Sequence, residues 1–165
     1  MSIAFRTVIA FTLLLSAATK SSADERDGRL GIYFIDVEGG AATLFVTPTG
    51  ESMLIDSGYP DYGGRDRDRI LKVVKDVAGR SQIDHAVVSH WHLDHYGNHA
   101  ALASQIKIGQ FWDRGIPEAL AEDNKFGERI VLYRAASQNK SKAVKAGDTL
   151  PLKTAATPLT VNVVT

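Results

Sequence analysis

Cysteine is absent from the 165 residues of this chain, and histidine is confined to one short segment. Without thiolates the chain can form no disulfide and can offer no sulfur ligand to a metal. Any metal site must therefore be built from imidazole nitrogen and carboxylate oxygen, and the fold must depend on its apolar core and its metals.

An excess of charge of either sign is also missing. Lysine and arginine number 19, as do aspartate and glutamate. The densest basic group is Lys140, Lys142 and Lys145, which a solvated loop explains. Because binding to a phosphate backbone depends on clustered basic side chains, this balance does not support a nucleic-acid partner. Hydrophobic residues make up 44% of the chain, which suits one globular domain with a core.

One segment carries the functional signal. All five histidines lie between residues 85 and 99, and four of them follow the apolar run 83–88. The centre of the segment is a tetrad of possible ligands, His90-x-His92-x-Asp94-His95. Its donors are those that a divalent first-row metal accepts, so the tetrad predicts a metal centre. His85 and His99 are interpreted as ordinary hydrogen-bonded core or surface residues.

The spacing of the tetrad favours two metal ions. Alternate side chains of an extended segment point the same way, so His90 and His92 are predicted to face one metal. Asp94 and His95 follow where the loop must bend toward the next helix, which places them better for a second ion.

The tetrad after a buried strand resembles the signature of the metallo-β-lactamase superfamily. Residues 33–42 and 53–58 come in the order that the superfamily uses before its metal loop, so the resemblance covers about residues 30–96. Asp36-Val37-x-x-Gly40 followed by residues 47–50 is most similar to the branch that includes the hydrolase domain of bacterial DNA-uptake competence proteins. The resemblance implies an α/β (α+β) fold, the first half of an αββα metallo-β-lactamase-type sandwich.

The resemblance also implies the chemistry. Two divalent metal ions, Zn²⁺ with Mn²⁺ or iron as alternatives, would be bound by the tetrad: His90, His92, Asp94 and His95. A metal-bound hydroxide would hydrolyse an ester, an amide-like bond or a phosphodiester, with Asp94 as the catalytic residue that orients it and passes the proton. Asp56 would lie beneath the metal loop and bond to backbone or to a ligand imidazole. The competing interpretation of Asp56 is a simple turn residue before Ser57 and Gly58.

Apolar periodicity predicts alternating strands and helices. An antiparallel meander is expected over 30–37, 41–46 and 52–56, followed by an amphipathic helix from Arg65 to Gly79 whose charged residues, Asp66 among them, face solvent. The remaining elements are strands at 83–88, 106–112, 150–152 and 159–164 and helices at 98–105 and 124–137. Val131 is placed on or near the buried face of the last helix.

Residues 1–23 are predicted to be a signal peptide. Arg6 gives a positive start, residues 7–15 are apolar, and small residues precede cleavage after Ala23 or Ala18. The apolar stretch is well short of the about 18 residues that spanning a bilayer requires, so no stable membrane span is expected. The domain 24–165 is therefore expected to be periplasmic or secreted, with a slightly negative net charge.

The domain 24–165 is expected to be incomplete at its C-terminus. Residues 159–165 read as an unfinished strand, and no histidine follows His99. Family members complete their sites with further histidines and a bridging carboxylate, which cannot be placed here. Each metal would have two protein ligands, whereas catalytic zinc usually has three and a water. The chain alone is therefore expected to bind metal weakly and to be inactive as a fragment.

Three functions stay open. The first is an exported metal-dependent hydrolase, and the second is an iron-dependent oxidoreductase on the same fold, because the same donors suit iron. The third is an inactive or binding remnant. The pattern specifies neither the substrate, a small molecule or a polymer, nor the oligomeric state.

Overall fold

The computed structural model describes residues 28–60 and 62–164. The predicted signal peptide, residues 1–23, lies outside these ranges. No helix within them combines the length and apolar character needed to cross a membrane.

A six-stranded sheet with its strands in sequence order, β1 to β6, forms the centre of the domain. The strands are β1 (Gly31–Phe34), β2 (Thr43–Val46), β3 (Ser52–Ile55), β4 (Gln82–Val87), β5 (Lys107–Asp113) and β6 (Lys142–Ala143). The first three pair antiparallel, and β3, β4, β5 and β6 are parallel neighbours. The predicted meander and the α/β class are confirmed, although β1 is shorter than the predicted strand.

The helices lie between these strands. They are α1 (Arg65–Lys72), α2 (Leu93–Tyr96), α3 (His99–Ala103) and α4 (Phe126–Ala136). A short 3₁₀ turn precedes α1, and one π-helical turn, Val73–Val77, continues it. Gly79 then ends the predicted helix with a left-handed backbone, φ 65°, as is usual after a helix.

Alternation along the strands divides the core between the two faces of the sheet. Leu44 and Val46 of β2 are fully buried in the main core, with Ile70 of α1 and Ile83 of β4. Phe45 points to the opposite face and packs on a smaller cluster of Met53, Trp112 and Leu150. Leu150 belongs to a separate antiparallel pair, β7 (Thr149–Leu150) and β8 (Val161–Asn162). The predicted last strand, 159–164, is therefore shorter than expected and has a partner within the chain.

Two predictions about helix faces are wrong. Asp66 is fully buried rather than solvated, because other segments donate hydrogen bonds to its carboxylate. Val131 is 56% exposed. The buried stripe of α4 is already complete with Phe126, Ile130 and Tyr133, and the residue after Ile130 is rotated by about 100° away from that stripe.

Candidate metal centre

Three neighbouring parallel strands bring the candidate site to one edge of the sheet. The register places Ile55 of β3 beside Val87 of β4, and Val87 beside Trp112 of β5. Because parallel strands present their carboxyl ends on the same side, the residues that follow them meet there. These residues are Asp56 after β3, the tetrad loop after β4 and Arg114 after β5.

In the tetrad loop, the side chains of His90 and His92 point away from that of Trp91, which lies between them in the sequence. Nε2 of His90 lies 3.1 Å from Nδ1 of His92. The side chain of Trp91 turns inward instead, is 4% exposed, and donates from Nε1 to the carbonyl oxygen of Gly115 over 2.7 Å. The two histidines are therefore adjacent at the surface while Trp91 anchors the loop to the core.

Asp94 and His95 lie on α2, beside the first pair. Oδ2 of Asp94 is 3.8 Å from Nε2 of His95, and the ring centroids of His90 and His95 are 3.8 Å apart. All four predicted ligands thus lie in one cluster. Within residues 28–60 and 62–164, no three histidine, aspartate or glutamate side chains are arranged so that they alone could hold a metal ion.

Asp56 is the buried hydrogen-bond acceptor beneath this cluster. Oδ1 accepts from the backbone nitrogen of Ser89 over 2.8 Å. Oδ2 accepts from Oγ of Ser89 over 2.6 Å and from Nδ1 of His95 over 2.8 Å. The residue has a left-handed backbone, φ 60°, and is 3% exposed. Its carboxylate therefore contacts both the backbone of the loop and one of the predicted ligands.

These contacts decide which imidazole nitrogens carry a lone pair. In a neutral His95 the proton shared with the carboxylate of Asp56 lies on Nδ1, which leaves the lone pair on Nε2. Ser89 donates its single hydroxyl proton to Asp56 and so accepts from Nδ1 of His90, 3.0 Å away. In a neutral His90 the lone pair is then on Nε2, the atom that lies 3.1 Å from Nδ1 of His92. The types of donor fit a divalent cation, because imidazole nitrogens and the carboxylate of Asp94 lie at one edge, although no three of the described side chains are arranged to hold an ion by themselves.

The surroundings also favour the neutral, ligand-ready form of His90. Partial burial, followed by the neighbouring rings of His95 and His92, lowers its pKa below the usual histidine value. The carboxylates of Asp56 and Asp94 oppose this shift without reversing it. A neutral imidazole is the form that binds a metal.

His92 has an acidic neighbour that no sequence pattern indicated. Its Nε2 lies 3.2 Å from Oε1 of Glu122, and both side chains are about half exposed. Glu122 comes from the loop between β5 and α4. A cleft of about 580 Å³ opens here, lined by His90, His92, Arg114 and Glu122 among others.

The glycine turn before β2 is part of the site, although the sequence indicated only a turn. Gly40 has φ 65°, and a Cβ placed on it would lie 1.9 Å from the carbonyl oxygen of Asp94. Gly39 is also left-handed, and its Cβ would lie 4.0 Å from Oδ2 of the same aspartate. The absence of a side chain at Gly40 therefore lets this turn pack directly against a predicted ligand.

Asp66, which was predicted to face solvent, holds this glycine turn in place. Its carboxylate accepts from the backbone nitrogen of Glu38 over 2.9 Å and from that of Tyr59 over 3.0 Å. Arg65 adds a contact of 3.1 Å. Asp66 thus ties the loop before β2 to the loop after β3, and both loops border the tetrad.

The two remaining histidines are buried and hydrogen-bonded, as expected. His85 accepts at Nδ1 from Nε1 of Trp112 over 3.0 Å, and its Nε2 lies 3.0 Å from Oε1 of Glu51. Nδ1 of His99 lies 2.8 Å from Oγ of Ser57. Complete burial lowers the pKa of His99 to about 4, so this side chain is neutral in the folded domain.

A cluster of histidine and carboxylate side chains therefore lies at the carboxyl ends of the parallel strands of this α/β domain. The sequence profile of the metallo-beta-lactamase superfamily matches residues 35–153. The chain belongs to this superfamily, whose members generally are hydrolases and typically bind divalent metals such as zinc or iron. No curated protein sequence matches the chain.

Solved structures give matches of low identity. A metallo-beta-lactamase fold protein, YhfI, from Bacillus subtilis is 16% identical, with a TM-score of 0.46, over 74% of this chain and 49% of its own. The rubredoxin oxygen:oxidoreductase of Desulfovibrio gigas is 19% identical, with a TM-score of 0.41, over 67% of this chain and 24% of its own. A beta-lactamase domain protein from Burkholderia ambifaria is 13% identical, with a TM-score of 0.44, over 82% of this chain and 49% of its own. This chain therefore spans half or less of the length of these proteins.

Proposed function

We propose that the chain supplies the metal-binding part of an exported metal-dependent hydrolase that cleaves an ester, an amide-like bond or a phosphodiester. One observation carries the proposal. Asp56 fixes His95 directly and His90 through Ser89, so that both imidazoles keep a bare Nε2 at the same edge. An ordinary surface histidine needs no buried carboxylate to hold its ring orientation, whereas a metal ligand does.

The spacing of the tetrad in the sequence divides the proposed ligands between two ions. His90 and His92 would hold one ion, and Asp94 and His95 would hold the other, with zinc as the proposed metal. When bound, divalent metals lower the pKa of a coordinated water and polarise the bond to be cleaved. Two protein ligands for each ion make this binding weaker than that of a site with three.

Asp94 is the proposed catalytic residue. Its carboxylate lies at the cluster surface, partly exposed, and Gly40 packs against its backbone. From there it can orient a water molecule, accept a proton on a carboxylate oxygen and return that proton to the leaving group. Glu122 restrains His92 at the mouth of the adjoining cleft.

Export is the second part of the proposal. Arg6, the apolar stretch 7–15 and the small residues up to Ala18 and Ala23 support a cleaved signal peptide. Sequencing the amino terminus of the protein from its native host should find Thr19 or Asp24 as the first residue, outside the cytoplasm. A cytosolic product that begins at Met1 or Ser2 would contradict export. Membership of the competence-protein branch is likewise a prediction.

Metal analysis of the complete protein, to which this chain would contribute the metal-binding part, tests the enzymatic part. The parent should bind zinc, and the double variant His90→Ala/His92→Ala should lose one class of bound metal. Asp76→Asn, which removes an exposed carboxylate on the π-helical turn, is the control and should bind as the parent does. Hydrolysis of a generic ester and a generic phosphodiester should require the metal. Full activity after chelation contradicts the proposal, tight selective binding of iron favours the oxidoreductase, and metal binding without hydrolysis favours the inactive remnant.

A further inference from the structure

Hydrogen bonds made by the residues before and after Arg114 hold its backbone in place. The preceding residue, Asp113, is 1% exposed and accepts from the backbone nitrogen of Gly115 over 2.8 Å and from the hydroxyl of Tyr133 over 3.1 Å. The carbonyl oxygen of Gly115 in turn accepts from Nε1 of Trp91. The backbone of Arg114 is therefore held next to the tetrad loop, since Trp91 lies between two of the predicted ligands.

The arginine lies between two open clefts. It lines the cleft of about 580 Å³ that contains His90, His92 and Glu122. It also lines a neighbouring cleft of about 640 Å³ that contains Ser89. Both clefts border the predicted metal loop, and Arg114 is the residue common to their linings. A group bound in either cleft therefore shares its surroundings with Arg114.

Other arginines near the site have acidic partners. Arg65 pairs with Glu38 and Asp66, and Arg69 pairs with Asp36. Among the described residues, no carboxylate pairs with the exposed side chain of Arg114. Glu122, which lines the same cleft, contacts His92 instead. Within the described residues, the positive charge of Arg114 thus has no acidic partner.

We infer that Arg114 is the anion-binding residue of this cleft, and that the substrate carries a carboxylate or phosphate group next to the bond that is cleaved. The inference rests on the hydrolase function proposed above and specifies its substrate class. A guanidinium offers a planar fork of donors that matches two oxygens of such a group, and so it orients as well as attracts. Arg114 is a specificity-determining residue in this assignment, and Asp94 keeps the catalytic role.

Three probes that share a phenyl ring test the assignment. Phenylphosphonate and benzoate carry the two candidate oxyanions, and benzamide is neutral. Their binding to the zinc-loaded chain is measured by calorimetry for the parent, Arg114→Gln and Arg114→Lys. The control is Lys107→Gln, which removes an exposed positive charge at the opposite end of β5. The zinc content of each variant is measured in parallel.

Arg114→Gln should weaken binding of at least one oxyanion about five- to tenfold and leave benzamide binding unchanged. Arg114→Lys should recover part of the loss, because it keeps the charge without the fork. The probe with the larger loss identifies carboxylate or phosphate as the preferred group. Equal binding by the parent and Arg114→Gln, or an equal loss in Lys107→Gln, overturns the inference.

The failure of the hydrolase proposal would look different. If no metal binds, the same titrations on the metal-free chain decide the inference: a loss of oxyanion binding in Arg114→Gln upholds the anion site, and equal binding overturns it. If hydrolysis is found, p-nitrophenyl hydrogen succinate and p-nitrophenyl acetate supply an anionic and a neutral ester with the same leaving group. Arg114→Gln should then raise KM for the succinate alone, and a change in kcat for both esters would contradict the assignment.

Discussion

Oδ2 of Asp56 accepts a hydrogen bond from Nδ1 of His95 over 2.8 Å, although the two residues are 39 positions apart in the sequence. The same oxygen accepts from the hydroxyl of Ser89, which lies next to Nδ1 of His90. One buried carboxylate therefore sets the orientation of two imidazoles.

Replacing this carboxylate should weaken metal binding. Asp56→Asn keeps the size of the side chain and tolerates the left-handed backbone, but its amide group cannot accept from all the present donors. His95 then loses the partner that keeps its proton on Nδ1. We expect the zinc affinity to fall about 10- to 100-fold, measured by competition with a chelator. Asp76→Asn should bind zinc as the parent does, and an unchanged affinity in Asp56→Asn would show that Asp56 is only a turn residue.

Gly40 and Gly79 form a matched pair, because both have φ 65°. Alanine at Gly79 would meet no atom within 4 Å, whereas alanine at Gly40 would clash with the backbone of Asp94. Gly79→Ala should lower the free energy of unfolding by about 1 kcal/mol, the usual cost of a left-handed residue with a side chain. Gly40→Ala should lower it further and also weaken zinc binding. Chemical denaturation and zinc titration measure the two effects, and identical behaviour of the variants would refute the close packing on Asp94.

Asp94→Asn should harm turnover more than folding. The amide keeps the size of the carboxylate, but it is a poor metal ligand and a poor proton carrier. In the complete protein, a decrease of at least about 100-fold in the rate on the best ester or phosphodiester is expected. The melting temperature should stay close to that of the parent, because asparagine and aspartate share turn preferences. A variant that melts and hydrolyses like the parent removes Asp94 from the catalytic role.

His99 should make the domain less stable in mild acid. Burial lowers its pKa from 6.5 to about 4 in the folded state. Between these values the unfolded chain binds a proton that the folded chain does not, so the stability rises with pH. This loss of stability is absent above pH 6.5, grows as the pH falls and amounts to about 3 kcal/mol at pH 4 and below.

The variant His99→Asn tests whether His99 causes this dependence of stability on pH. His99→Asn can keep the contact with Oγ of Ser57, while it has no group that titrates in this range. Its free energy of unfolding, measured by urea denaturation from pH 7 to pH 4, should fall less steeply than that of the parent. Parallel curves for the two proteins would show that His99 does not cause the dependence.

Local patterns in the sequence were enough to predict the order of strands and helices and the place of the tetrad. A short apolar run such as 83–88 can hardly be a helix, and the residues after a buried parallel strand necessarily reach the edge of the sheet. The alternation that sends Trp91 inward also puts His90 and His92 together.

Contacts between distant segments were decided by the tertiary structure. The charged neighbours of Asp66 suggested a solvated face, yet the backbone donors of Glu38 and Tyr59 bury its carboxylate. Gly40 contacts Asp94 and Glu122 contacts His92 only because the strands bring their loops to one edge. Periodicity shows which side chains of one element share a face, since that depends on backbone geometry alone. It does not show which donors another part of the chain will supply, and a buried polar group is placed by those donors.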